Sequence, residues 1–219
     1  MKRKINEIFE SLQGEGAHTG VPSVFVRFSG CNKRCAFCDT RHEEGELLSD
    51  EEIVRRVKGY NAPWIVLTGG EPSLWIDSPF VRMLKEQTGK RIAIETNGSC
   101  PVPEEVDWVT VSPKCGMEGA GDYEIRVAHA DELKVVDLGQ PLDPYFSYPC
   151  VHFAPESAGH TPLKSSGLTG HAPTRMYLQP CYVHDPEENF RNRNRTIARI
   201  IADPRWTLSV QLHRFLSIP

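Results

Sequence analysis

A chain of 219 residues, 39% hydrophobic and 25% charged, is long enough to bury one core and too balanced for wholesale disorder or a fibrous repeat. Its net charge of −4 gives no whole-molecule attraction for nucleic acid, and no apolar run approaches the roughly 18 residues of a membrane span. The start, Met1-Lys2-Arg3-Lys4-Ile5-Asn6, is basic without the apolar stretch of a signal peptide, so a cytoplasmic, single-domain chain over 1–219 is expected.

In chain order, residues 23–28 alternate as a half-buried strand, with Val24, Val26 and Phe28 on one face and Ser23, Phe25 and Arg27 on the other. Ser49 caps a helix that opens with Glu51 and Glu52 and turns Ile53, Val54 and Val57 to one side. Residues 64–67 form a short apolar strand ending in Thr68-Gly69-Gly70, and a second helix runs from Ser78 or Pro79 to Gly89. Strands follow at 92–94, 108–111, 133–136 and 176–178, then a long basic helix at 187–202 and a last strand at 206–212. Strands alternating with helices predict an α/β fold with a parallel sheet. Each apolar run ends in a polar turn, where such folds build their sites. About seven strands with fewer convincing helices predict an incomplete, TIM-like βα barrel. An irregular segment at about 138–173, rich in Pro, Gly, Ser and His, is expected to be a long loop, a lid or an insertion.

Three of the seven cysteines crowd into Cys31-Asn32-Lys33-Arg34-Cys35-Ala36-Phe37-Cys38, which in a reducing compartment points to metal or catalysis. Three thiolates on one loop can each hold an iron of a 4Fe–4S cube and leave the fourth iron open. The spacing alone also allows a structural zinc site completed by Cys100, Cys115, Cys150, Cys181 or a histidine. Thr68-Gly69-Gly70-Glu71-Pro72 stands at the end of the next strand; its glycines permit close backbone approach, and Glu71 offers a carboxylate to an ammonium. Arg27, near its strand's end, is either an inward bidentate carboxylate ligand or a solvent-facing residue.

The two motifs together resemble the radical S-adenosylmethionine superfamily. Within it the chain resembles the 7-carboxy-7-deazaguanine synthases over most of its length: Leu12-Gln13-Gly14-Glu15-Gly16 with Thr19-Gly20, Arg27, Cys31 to Thr40, Thr68 to Pro72, Glu95-Thr96-Asn97-Gly98, Ser112-Pro113-Lys114, Glu132-Leu133-Lys134, Gln179-Pro180, and Gln211-Leu212-His213 to Pro219. No motif can be placed between Leu138 and Pro173. The resemblance implies a radical ring contraction of 6-carboxy-5,6,7,8-tetrahydropterin to 7-carboxy-7-deazaguanine with loss of ammonia, in the pathway to the deazapurine bases of tRNA. It implies a 4Fe–4S cluster on Cys31, Cys35 and Cys38, and S-adenosylmethionine held by Phe37, Cys38, Asp39, Gly70, Glu71, Ser112, Pro113, Lys114, Gln179, Pro180, Cys181 and Tyr182. It further implies substrate contacts at Leu12, Gln13, Gly14, Arg27, Thr68 and the carboxylate of Pro219, and Mg²⁺ at Thr40. A homodimer, served by an electron donor such as flavodoxin or ferredoxin, is implied too, with no direct nucleic-acid or membrane partner.

Other features stand beside that assignment. A glycyl-radical activating enzyme shares the cluster motif, but the QGEG segment, Arg27 and the SPK turn favour the synthase. A non-catalytic zinc or nucleic-acid module is the remaining alternative. Cys150 with His152 and Cys181 with His184 are candidate halves of a second metal site, and His18 and His129 are expected at the surface or in packing. Arg191-Asn192-Arg193-Asn194-Arg195 reads as a solvated helix face or a dock for an acidic electron donor.

Overall fold

β1 (Lys2–Leu12) pairs antiparallel with both β2 (Pro22–Phe28) and β3 (Glu46–Ser49). From β2 the sheet continues in parallel through β4 (Trp64–Gly69), β5 (Arg91–Thr96), β6 (Trp108–Val111), β7 (Glu132–Asp137), β8 (Arg175–Pro180) and β9 (Thr207–Leu208). The order β3-β1-β2-β4-β5-β6-β7-β8-β9 leaves both edges open, so the expected incomplete βα barrel is what the chain builds. This computed structural model describes residues 1–40, 42–152 and 174–219; 153–173 of the irregular segment fall outside the described residues.

Nine strands are present among the described residues, where about seven were expected. β1 escapes the alternation test because its register shifts between Ile5 and Glu7. The extra residue inverts the in–out parity, so Ile5 and Ile8 face one core while Phe9 faces another. β3 is four residues long with only Leu48 buried, too short to show a period. The expected last strand is also corrected: only Thr207 and Leu208 pair, and α4 (Leu212–Leu216) starts inside the predicted span. Buried Trp206 packs on Tyr145 and Phe146, and beyond Ser209 the chain is drawn to the barrel interior.

The helices form where local chemistry placed them. α1 (Asp50–Lys58) opens with a reciprocal capping box, Glu52 N donating to Ser49 Oγ at 3.2 Å and Ser49 N to the Glu52 carboxylate at 2.8 Å. Asp77 caps α2 (Ser78–Thr88), which Gly89 ends in the left-handed region at φ 67°. Asp185 caps α3 (Pro186–Ala202), whose Arg195, Thr196 and Arg199 converge on buried Asp137. No helix among the described residues is long and apolar enough to cross a membrane.

The two faces of the sheet differ. Val24, Val26, Phe28, Ile65, Leu67, Ile92 and Ile94 pack outward against Ile53, Val57, Phe80 and Leu84 of the helices, each fully buried aliphatic or aromatic side chain stabilising by about 1.5–3 kcal/mol. Inward, Phe25, Trp64, Val66 and Ala93 plug the lower barrel. His18 closes the plug, its ring 4.5 Å from both Trp64 and Trp108; burial, then the nearby Arg91 and Arg175 charges, lower its pKa. Residues 138–152 return to the outer core through buried Tyr145 and Cys150 and line no part of the main cavity.

Candidate active site

The cysteine loop after β2 and the strand end before it are held by four backbone bonds. Gly70 N donates to Phe28 O at 3.0 Å, and Glu71 N to Gly30 O at 2.9 Å. Arg34 N and Ala36 N reach Gly119 O and Glu118 O, both at 3.1 Å. The glycines make these approaches possible: a Cβ on Gly70 would lie 2.1 Å from Gly30 O, and one on Gly119 would lie 1.9 Å from Arg34 O. The Gly69-Gly70 pair was expected to let the backbone approach a ligand; what it approaches here is the backbone of β2's end and of the cysteine loop. Cys31, Cys35 and Cys38, all unpaired, give onto one cavity of about 540 Å³. Burial raises the thiol pKa of Cys31 and of Cys35.

Above the apolar plug the barrel interior turns polar. Arg27, Thr68, Glu95, Lys134 and Gln179 enter the cavity from β2, β4, β5, β7 and β8. A strap, Gln13 to His18, crosses beneath them. Gln13 Nε2 donates to Glu95 at 3.0 Å, Gly16 N to Ser209 Oγ at 3.1 Å, and Ala17 N to Glu132 at 2.8 Å. Gln179 and Gln211 both donate to Glu15, at 3.1 and 3.0 Å. Lys134 bonds Glu15 and, at 3.1 Å, Glu95, while Thr68 donates to the other Glu95 oxygen at 3.1 Å.

Electrostatics follow from that pairing. Burial pulls Lys134 down, yet Glu15 and Glu95 outweigh it and hold the ammonium above its ordinary range. Burial pushes Glu15 up, but Lys134 more than offsets this and leaves it a carboxylate of lowered pKa. Glu132 is pushed up to about 7 by burial, with Lys134 opposing. Desolvation, with the like charge of Lys134, brings Lys114 down to about 8; its Nζ donates to Ser112 O and Oγ at 2.8 and 2.5 Å.

Most residues singled out from the sequence line this one cavity: Leu12, Gln13, Gly14, Arg27, the three cysteines, Phe37, Asp39, Thr40, Thr68, Gly70, Glu71, Ser112, Lys114, Gln179 to Tyr182 and Pro219. Pro113 is buried but outside the lining. Glu71 is 1% exposed, and its carboxylate accepts from Ser73 N and Oγ, Thr96 Oγ1 and Asn97 N at 2.6–3.0 Å. It therefore ties the glycine turn to the end of β5. Asp39 accepts from Arg214 at 2.8 Å and from Gln211 at 3.3 Å, joining the cysteine loop to α4. Glu7, Glu15, Glu95, Lys134 and Arg214 also line the site and were given no role from sequence. Their signal was inward parity on strands for Glu95 and Lys134; Glu7 was hidden by the register shift.

The candidate second metal site does not assemble. Cys150 lies in the outer core, Cys181 on the cavity wall. Among the described residues no group of three or more His, Cys, Asp and Glu is gathered to hold one metal ion, the cysteine triad included. A cube binds each thiolate at a different iron and does not require that gathering, so three thiols around one cavity fit it.

A model of the radical SAM superfamily matches residues 25–110. A 7-carboxy-7-deazaguanine synthase of Bacteroides thetaiotaomicron is 44% identical over 218 residues, covering the whole of both chains. The chain belongs to the 7-carboxy-7-deazaguanine synthase family. The synthase of Nitratidesulfovibrio vulgaris is 33% identical over 245 residues, again across both chains. The crystal structure of QueE from Escherichia coli is 30% identical with a TM-score of 0.70, covering 97% of this chain and 95% of that one. This 7-carboxy-7-deazaguanine synthase family member is thus a radical S-adenosylmethionine lyase of queuosine biosynthesis, and a 4Fe–4S cluster and S-adenosylmethionine are its cofactors.

Proposed function

We propose that the chain converts 6-carboxy-5,6,7,8-tetrahydropterin to 7-carboxy-7-deazaguanine, with loss of ammonia, inside the 540 Å³ cavity. The observation that carries this reading is the gathering of Arg27, Gln13 and Thr68 with the three thiols around one cavity, within a chain of this family. When bound, the cluster and S-adenosylmethionine supply one-electron cleavage and a 5′-deoxyadenosyl radical. Cys31, Cys35 and Cys38 hold the cluster. Phe37, Asp39, Gly70, Ser112, Lys114 and residues 179–182 hold the nucleoside and methionine parts. Glu71 acts at one remove, by fixing the turn beside them.

Arg27 binds the substrate carboxylate through a charge-assisted pair. Gln13, Gly14 and the Leu12 backbone meet the guanine-like pterin edge, with Thr68 beside them. Lys134 keeps Glu15 ionised, so the strap's carboxylate stays an acceptor at neutral pH. Thr40 supplies a protein oxygen to Mg²⁺, with substrate oxygens and water completing the shell. Pro219 lines the cavity, which supports a substrate contact there, and its main-chain oxygen accepts from Ser11 Oγ at 2.9 Å. The active assembly is a homodimer, reduced by a flavodoxin or ferredoxin. Within the basic run, Arg191 remains largely exposed, whereas Arg195 is drawn to Asp137, so docking on α3 rests on Arg191 and Arg193.

The test is anaerobic reconstitution with dithionite, S-adenosylmethionine, Mg²⁺ and the carboxylated tetrahydropterin, followed by mass spectrometry. Formation of 7-carboxy-7-deazaguanine, lost in Cys31→Ala, is the expected result. Formation of 5′-deoxyadenosine alone would keep the radical chemistry and overturn the substrate.

A further inference from the structure

We infer that Glu7, turned into the cavity by the β-bulge at Asn6, is a positioning residue that sets which edge of the Arg27 guanidinium meets the substrate carboxylate. The inference rests on the reading of Arg27 given above.

Ile5 pairs with Phe28 and Glu7 with Arg27, so two steps along β1 match one along β2. Without the extra residue Asn6 would oppose Arg27, and Glu7 would oppose Val26, whose side chain faces the outer core. Bulges re-aim side chains in this way beside active sites. Arg27 Nε donates to Glu7 Oε1 at 2.7 Å. The guanidinium lies 5.9 Å from the Phe9 ring, which stacks on Phe25 at 5.1 Å. Both Arg27 and Glu7 line the cavity, Arg27 with 23% and Glu7 with 50% of its side chain exposed.

A guanidinium can grip a carboxylate from the side, through Nε and one Nη, or end-on, through both Nη atoms. Glu7 takes Nε, which closes the side grip. Among the described residues the two Nη atoms have no hydrogen-bond partner, and they are the donors left for an incoming anion. An unpaired arginine at the edge of a cavity samples several rotamers; the Glu7 bond and the Phe9 ring remove that freedom before the substrate arrives. The pair's Coulomb term is screened at this exposure, so orientation is the main contribution.

The test uses the reconstituted holoenzyme and two non-reactive probes, oxidised 6-carboxypterin and pterin lacking the carboxylate, titrated calorimetrically. KM and kcat for the tetrahydropterin are measured in parallel. Arg27→Ala should weaken 6-carboxypterin by about 10- to 100-fold, the range of a lost charge-assisted bond, and leave pterin unchanged. Glu7→Ala should weaken 6-carboxypterin alone by about 5- to 20-fold, and should raise KM with kcat held within about twofold. Glu7→Gln keeps an oxygen to accept from Nε and should recover binding to within about threefold of the wild type. If Arg27→Ala loses 6-carboxypterin while Glu7→Ala binds it normally or better, the role of Glu7 falls and that of Arg27 stands. Equal weakening of both probes by Glu7→Ala makes it merely structural and overturns the inference. Normal 6-carboxypterin binding in both variants overturns the Arg27 reading as well.

Discussion

Lys134→Met removes one cation from between two carboxylates inside the barrel. The wild-type side chain is 6% exposed and bonds Glu15 and Glu95, themselves 15% and 23% exposed. Breaking a buried pair from one side typically destabilises by 3–5 kcal/mol; the residual exposure of Glu95 places this case near the low end, at about 3 kcal/mol. In a chain of this length that corresponds to roughly 6–12 °C in melting temperature. The pH dependence carries a sign. In the wild type Glu15 lies below its ordinary 4.5, because Lys134 outweighs burial. That stabilisation is fully present above the unfolded pKa and is lost as pH falls through the lowered, folded one. In the variant that compensation is gone, and burial raises the Glu15 carboxyl against the Gln211 bond that remains. The penalty is therefore full above that raised value and shrinks as acid protonates Glu15. Urea unfolding followed by tryptophan fluorescence at pH 7.5 and 5.5 measures both effects on the cofactor-free chain. Equal midpoints at pH 7.5, or a gap that widens on acidification, would refute the account.

Three further substitutions probe other parts of the scaffold. Gly70→Ala drives a Cβ to 2.1 Å from Gly30 O, a backbone atom that cannot rotate away; reconstituted protein should hold clearly less iron at an unchanged circular-dichroism spectrum, and full iron loading would count against it. Arg3→Met strips a 1%-exposed guanidinium from Asp50 at 2.7 Å, from Asp77 and from Trp75 O. It should lower stability by about 3 kcal/mol in urea unfolding, and a loss under about 1 kcal/mol would contradict the burial argument. Arg214→Ala releases the bond to Asp39 at 2.8 Å and the stacking on Tyr182 at 3.8 Å. Being partly exposed, the pair should contribute within about 1 kcal/mol to global stability, yet amides 211–218 should exchange faster; unchanged exchange would show that α4 is held by something else.

Much of the site was legible because its chemistry sits at strand ends that alternate cleanly. The outward faces of β2, β4 and β5 are uniformly apolar, so the turns after them were placed correctly and the cysteine loop with them. β1 was illegible for a physical reason: one inserted residue reverses the parity on which a strand is recognised, and with it went Glu7. Glu71 was expected to meet an ammonium because a carboxylate beside paired glycines invites one; the donors Ser73, Thr96 and Asn97 gathered on the same carboxylate are contacts that no local pattern reports. Lys134 with Glu15 is a long-range pair, 119 positions apart, and no local pattern reports such a meeting. The strand expected at 206–212 fails because Trp206 anchors in the outer core while Gln211 is drawn inward.

The open edges of the sheet have a mechanical consequence. A barrel sealed by strand pairing spreads strain over a continuous ladder. Here the chain beyond β9 meets the turns beyond β1 and β2 through isolated bonds: Gly16 with Ser209, Leu212 with Gly14, Gln211 with Glu15, and Arg214 with Asp39. Compliance is concentrated along that one seam, and thermal breathing opens the molecule there before it disturbs the parallel strands. A ligand that touches both sides of the seam works as a rivet. It stiffens the weakest line of the shell and adds its own binding energy to the barrier against opening.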